Sequence, residues 1–202
     1  MDQPASGGMP APDAILDLLF REARTHRSWH PNPISDDDIR AIYDLAKMGP
    51  TSGNCQPVRI AFIRSPEAKE RLRPLLDTGN VGKTMTAPVT AIVAHDLEFY
   101  ERFAETSPPG NARDEFVGKP ALIEETAFRN GSLQGAYLIM AARSLGFDCG
   151  PMSGFDRAAV DREFFAGTQI KSNFLCNIGH GDGKSIRARK PRLAFDTTCR
   201  IL

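Results

Sequence analysis

Nine residues, Gly49-Pro50-Thr51-Ser52-Gly53-Asn54-Cys55-Gln56-Pro57, bring together two prolines, two glycines, two hydroxyls and two carboxamides. Such a set has hydrogen-bond donors and acceptors without formal charge, and suits holding a ligand's heteroatoms from a rigid loop. The same composition also serves as a plain helix-to-strand connection, because Gly and Pro punctuate elements while Thr, Ser and Asn bond their own backbone. A second rigid stretch, Pro151-Met152-Ser153-Gly154, offers backbone hydrogen bonds in the same way. Anion chemistry has three further sources: Arg24-Thr25-His26-Arg27, Asn80 with Lys83, and Lys190 with Arg192. Each has an ordinary alternative. Arg24 suits the negative carbonyl end of a helix, Asn80 is a turn former, and Lys190-Pro191-Arg192 reads as a solvated tail. Cys55 lacks a sequence-evident base and reads as a small packing residue rather than a nucleophile.

The elements that must position these residues follow from periodicity. Ile15, Leu16, Leu18, Leu19 and Ala23 mark a helix over 13–25. Ser35, followed by Asp36-Asp37-Asp38, caps a second helix that Gly49 and Pro50 stop. Val58-Arg59-Ile60-Ala61-Phe62-Ile63 is a β-branched strand, and Ser65-Pro66-Glu67 opens a helix running to about residue 76. Residues 78–84 read as a turn leading to a short element, and 88–95 as a strand buried on both faces. Over 96–120 the pattern weakens into a possible excursion or lid with aromatics Phe99, Tyr100, Phe103 and Phe116. The longest helix spans 121–145, with Gly131 and Gly135 one turn apart where another helix could approach closely. Residues 148–156 read as a Gly- and Pro-rich connection, followed by a helix over 158–165 and a strand over 173–180. Alternating strands and helices predict an α/β (α+β) fold, a central mixed sheet with helices on both faces.

The 202 residues fit a single domain over 13–202 after a disordered lead-in, 1–12, rich in Pro, Gly, Ala and Ser. Lys+Arg and Asp+Glu both number 25, so no global field draws the chain to nucleic acid or an anionic membrane. No apolar run approaches the roughly 20 residues of a membrane span. Cys55, Cys149, Cys176 and Cys199 form no C-x-x-C pair, which argues against a metal site and suits reduced thiols in the cytoplasm.

In combination and order, these stretches resemble the nitroreductase-like family of FMN-dependent oxidoreductases. Pro50-Thr51-Ser52-Gly53-Asn54-Cys55-Gln56-Pro57 matches the family's loop, and Pro151-Met152-Ser153-Gly154-Phe155 its Pro-x-x-Gly-Phe element. The resemblance implies that Arg24, Thr25, His26 and Arg27 meet the FMN phosphate and ribityl chain, although Ala23 stands where many relatives have the first Arg. It implies that Asn80 and Lys83 contact the flavin's pyrimidine edge, that Pro151, Met152, Ser153 and Gly154 bind the cofactor with the backbone at Ser153 and Gly154 facing N5 and O4, and that Lys190 and Arg192 grip the phosphate. It further implies a homodimer with FMN at the interface. Thr51, Ser52, Asn54 and Gln56 would then serve the partner's flavin, and the Gly131/Gly135 face would cross its symmetry mate.

Longer stretches resemble the malonic semialdehyde reductase branch of bacterial pyrimidine utilisation. They are Glu125-Thr126-Ala127-Phe128-Arg129-Asn130-Gly131-Ser132-Leu133-Gln134-Gly135-Ala136-Tyr137, Cys149-Gly150-Pro151-Met152-Ser153-Gly154-Phe155-Asp156, and Lys171-Ser172-Asn173-Phe174-Leu175-Cys176-Asn177. The match departs at Arg27 and over Gly183-Lys184-Ser185-Ile186-Arg187-Ala188-Arg189. The implied reaction is reduction of malonic semialdehyde to 3-hydroxypropionate, with NADH or NADPH as hydride donor through FMN and no covalent nucleophile from the protein. Arg129 is a candidate for the substrate carboxylate, as well as an ordinary helix-surface arginine. A broad nitro- or quinone-reductase, and a flavin-binding protein that never turns over, are the alternatives.

Overall fold

The computed structural model describes residues 8–106 and 112–202. Residues 1–7 of the expected lead-in and 107–111 of the expected excursion lie outside the described residues. In chain order the helices and strands are α1 (Asp13–Leu16), α2 (Asp36–Ala46), β1 (Val58–Ile63), α3 (Pro66–Leu72), α4 (Thr78–Met85) and β2 (Val89–Asp96). They continue with α5 (Phe103–Thr106), α6 (Pro120–Ser144), β3 (Asp148–Met152), α7 (Arg157–Phe164), β4 (Ile170–Gly179) and α8 (Phe195–Thr198).

Local chemistry sets several boundaries. Ser35 Oγ accepts the Asp38 N–H at 3.1 Å while the Asp38 carboxylate accepts the Ser35 N–H at 2.9 Å, a reciprocal cap on α2. Ser65 and Asp156 cap α3 and α7 with a single side-chain bond each, accepting the Ala68 and Ala159 N–H. The first helix is shorter than its apolar stripe predicts. After α1 it loosens into a π-helical turn, Asp17–Arg21, clipped by Arg21 to Asp13 and Asp17.

The sheet has the order β1-β2-β4-β3, and every pairing between named strands is antiparallel. The parallel contact among the described residues is a single bridge, Thr25 to Cys149. Side chains alternate across β2, as the pleat requires. Val89, Ala91 and Val93 join Ile42 and Ala46 of α2 and Leu138, Ala141 and Ala142 of α6 in one core. Ile92 points the other way, toward Leu72, Leu76, Val160 and Leu175. Both faces of the sheet are therefore covered, and the nearly continuous apolar run of β2 reflects that. A smaller aromatic cluster joins Cys55 and Ala127 to Phe99, Phe103 and Phe116. Burial there pushes the Cys55 thiol above its usual range, so it is a packing residue.

Two expectations need correction. Residues 148–152 form strand β3 rather than a loop, and Pro151 is tolerated because β3 is an edge strand that need not donate there. Gly131 and Gly135 face the sheet of their own chain, not another helix. A Cβ on Gly131 would stand 2.9 Å from His95 Cβ, and one on Gly135 2.6 Å from the Phe174 ring. These glycines let α6 lie close on β2 and β4. In addition, residues 78–84 belong to a full helix, α4, despite Gly79, Asn80 and Gly82.

Candidate active site

The outer end of β3 turns at Ser153-Gly154, and α4 holds that turn. Gly154 C=O accepts both the Asn80 side-chain amide at 2.6 Å and the Asp77 backbone N–H at 3.1 Å. A Cβ at 154 would lie 2.5 Å from Asn80 Nδ2 and 2.6 Å from Asp77 Oδ2, so a larger residue would displace the side chains that hold the turn. Ser153 is exposed, whereas the Met152 side chain is buried in the second core against Leu175. Any ligand contact by residue 152 therefore runs through its backbone.

Beside this turn lies a cavity of about 540 Å³. Arg24, Thr25 and Arg27 line it from the N-terminal segment, Lys83 from α4, Pro151 from β3, Arg143 from α6, and Arg187, Arg189, Lys190 and Arg192 from the C-terminal segment. Leu19, Phe20, Ala23 and Ala188 supply apolar wall. Eight cations meet there, and none of the lining residues is acidic. None of the eight has a carboxylate partner among the described residues, while twelve Arg or Lys pairs with carboxylates occur elsewhere. The electrostatic effect is visible at Lys83. Burial, and then the charges of Arg27 and Arg187, hold its ammonium below the usual lysine range. Such a cavity fits a phosphate-bearing ligand, whose dianion supplies the charge the walls lack.

Backbone carbonyls fix the arginine geometry. Arg24 donates to Arg187 O at 2.6 Å, Arg189 to Ala23 O at 2.9 Å, and Arg192 to Lys190 O at 2.9 Å. The two basic segments are further joined by Ser28, which donates to the Asp182 carboxylate and lies 2.7 Å from Ser185 Oγ. His26 is turned away from the cavity. Its buried ring meets Asp148 at 3.1 Å, and Asp148 in turn accepts the Gly181 N–H at 2.8 Å. It packs the wall and lines nothing.

The 51–56 loop does not reach this cavity within one chain. Ser52 N–H donates to buried Asn130 at 2.8 Å, Gln56 Nε2 to Asn54 Oδ1 at 3.0 Å, and Gln56 N–H to Thr51 Oγ1 at 3.2 Å. Asn54 and Gln56 hold left-handed backbone, with φ of 53° and 41°. The loop is thus a stiff, outward-facing structure with its own internal bonding. Arg129 is also outside the cavity, exposed on α6 and paired with Glu125. Arg143, Arg187 and Arg189 were not among the expected site residues. Arg187 and Arg189 stand out in sequence only as part of a basic run, and Arg143 sits in the last turn of α6, where any cation is favoured.

The chain matches the family model described as Nitroreductase family over residues 20–180. Solved structures of the same shape include a candidate nitroreductase of Exiguobacterium sibiricum in complex with FMN, at 20% identity, TM-score 0.81, covering 96% of this chain and 99% of that one. A candidate nitroreductase of Bacillus subtilis has 21% identity, TM-score 0.81 and coverage of 95% and 100%. A candidate NAD(P)H:FMN oxidoreductase of Staphylococcus epidermidis has 19% identity, TM-score 0.79 and coverage of 96% and 98%. At such identities these structures establish the fold, and the family match establishes membership. The chain belongs to the nitroreductase family, whose members are flavin-dependent oxidoreductases.

Proposed function

We propose that this protein binds FMN in the basic cavity and reduces malonic semialdehyde to 3-hydroxypropionate at the expense of NADH or NADPH. One observation carries the flavin reading. Arg24, Thr25, Arg27, Lys83, Pro151, Lys190 and Arg192, scattered through the sequence, converge on one cavity without acidic residues beside the Asn80–Gly154 turn. The FMN-bound Exiguobacterium neighbour supports the same cofactor. Bound FMN supplies hydride transfer; the protein's part is to hold, orient and exclude water. Arg24, Arg27, Lys190 and Arg192 suit the phosphate, and Asn80 and Lys83 the pyrimidine edge. Ser153 and Gly154 present backbone held rigid by two hydrogen bonds to the Gly154 carbonyl.

The working unit we propose is a cytoplasmic homodimer. Tyr43, Leu45, Met48, Leu133 and Tyr137 are exposed on α2, the turn after it and α6, an apolar surface that suits a second copy. In that arrangement Thr51, Ser52, Asn54 and Gln56 complete the partner's flavin site. Among the described residues no helix is long and apolar enough to cross a membrane. Arg129 keeps its proposed substrate role only if the dimer frees it from Glu125. The branch assignment rests on the sequence stretches around 125–137, 149–156 and 171–177. Purified protein should be yellow, and its FMN-dependent NAD(P)H oxidation should respond to malonic semialdehyde more than to a nitroaromatic or a quinone. Fast quinone turnover with negligible aldehyde turnover would replace the substrate assignment with a broad quinone or nitro reductase.

A further inference from the structure

We propose that a second cavity, where α6 and α7 flank the end of β2 and the start of β4, binds a small aromatic cation, with the His95 imidazole and the Glu124 carboxylate as its polar partners. The cavity measures about 730 Å³ and shares no lining residue with the basic one, so the inference stands apart from the flavin reading. His95 forms part of its wall. The residue is 2% exposed and sits under α6, where Gly131 leaves room for it. Its Nδ1 has no hydrogen-bond partner, alone among the buried side-chain nitrogens and oxygens of the described residues. A buried polar atom left unpaired is costly, and a ring in a cavity wall finds its partner in what fills the cavity. A half-turn about Cβ–Cγ exchanges the two edges of the flat ring, so either orientation can offer a nitrogen to a ligand seated there.

The surrounding chemistry selects the ligand. Burial, and then the Arg157 charge, hold the imidazole below the ordinary histidine range, so at neutral pH the ring is uncharged and one nitrogen is an acceptor. Phe128 meets that ring edge-on, at 5.7 Å and 87°, which makes an aromatic corner for a flat molecule. Most charges around the corner are engaged. Glu125 pairs with Arg129, and Arg157 Nε donates to Ser172 O at 2.8 Å. Asp161 accepts the Ser172 N–H at 2.7 Å and faces Lys171 at 4.0 Å. The Glu124 carboxylate has no ion-pair partner among the described residues. In the lining as a whole, Glu124, Glu125 and Asp161 outnumber Arg157 and Lys171, so the field favours positive charge. An acceptor nitrogen, an unpaired carboxylate and an aromatic corner together suit a flat ring that carries a positively charged N–H donor group, such as an amidinium.

Calorimetric titration of the purified protein with benzamidine at low salt tests the inference, with neutral benzamide and anionic benzoate as matched probes. The expected result is one benzamidine per protomer, with benzamide weaker by about tenfold or more. Glu124 is exposed, so Glu124→Gln leaves the core alone and should weaken benzamidine binding by about tenfold. Nitrogen NMR of protein labelled at histidine should show the His95 ring signals, identified by their loss in His95→Gln, moving on saturation while those of His26, His30 and His180 stay in place. Arg24→Gln, in the basic cavity, should bind benzamidine as the unsubstituted protein does. Absence of saturable benzamidine binding, benzoate binding as tightly, or a Glu124→Gln affinity within about threefold of the unsubstituted protein overturns the proposal. A loss of binding in Arg24→Gln overturns it too, because the probe then sits in the basic cavity. If His95→Gln does not fold, the benzoate and Glu124→Gln measurements decide the matter by themselves.

Discussion

Replacing Gly150 by alanine drives a methyl group from β3 into the backbone of the basic segment. The new Cβ would stand 2.6 Å from the His26 carbonyl oxygen and 3.2 Å from the Trp29 ring. Backbone cannot swing aside as a side chain does, so the segment must leave the strand by roughly 0.8 Å to reach an ordinary 3.4 Å contact. That movement loads the His26 N–H to Cys149 O bond, now 3.0 Å, and the Thr25–Cys149 bridge. Overpacking of this kind costs about 1–3 kcal/mol of stability. Arg24 and Arg27 travel with the segment, and a charge-assisted hydrogen bond is worth about 1.5–3 kcal/mol. Weakening one such contact raises the FMN Kd by about ten- to a hundredfold. Gly135→Ala is the matched control. Its Cβ meets the Phe174 ring at the same 2.6 Å, but neither residue lines the cavity. Fluorescence titration of flavin-free protein with FMN, paired with thermal melts, should show both variants melting lower and only Gly150→Ala losing affinity. Equal melts with an FMN Kd for Gly150→Ala within about threefold of the unsubstituted protein would refute the idea that β3 positions the cations.

Asn54→Gly keeps the left-handed backbone but removes the side chain that bonds Gln56 and Thr106. FMN affinity should fall about tenfold while stability changes by about 1 kcal/mol or less, read by the same titration and melt. Tyr137→Arg, placed on the exposed face of α6, should give a monomer by light scattering that retains no FMN; a flavin-loaded monomer would show that the 51–56 loop serves no partner. Raising NaCl from ~0.1 M to ~1 M shortens the screening length from about 10 Å to about 3 Å, so FMN binding should weaken by at least about tenfold. Lys69 gives a pH signature. Its buried ammonium donates to the Thr84 and Ala87 carbonyls, and burial lowers its pKa to about 8. Between that value and the unfolded 10.5 the unfolded chain holds the extra proton. Stability should therefore rise with pH across this window and be lost again as pH falls through 8, by up to about 3 kcal/mol. Denaturant melts of Lys69→Met should lack that increment.

Strands β1, β2 and β4, and the covered sheet, were readable because their signals are local. Alternation, capping Ser and Asp, and stopping Gly act within a turn or two. Strand β3 was not, because Pro151 in a strand is acceptable only at an edge, and sheet order is not a local property. Gly131 and Gly135 signalled a close approach, but spacing alone does not name the approaching surface, and here it is the sheet. For the site, short motifs pointed to Arg24, Arg27, Lys83 and Lys190, which meet in one cavity. The same motif pointed to His26, which the Asp148 contact turns inward. Arg143 carried no signal distinct from a helix-end cation, since its role depends on where the C-terminal segment lies.

The cavity is closed by two segments far apart in sequence, residues 20–28 against residues 181–192, with the Ser28–Asp182 and Arg24–Arg187 contacts as its seam. Synthesis runs from one end to the other, so a nascent chain lacks this pocket until Arg192 has left the ribosome. Ligand capture is thereby tied to synthesis of that segment: a chain terminated before residue 187 lacks four of the eight cations that would sequester a phosphate-bearing molecule.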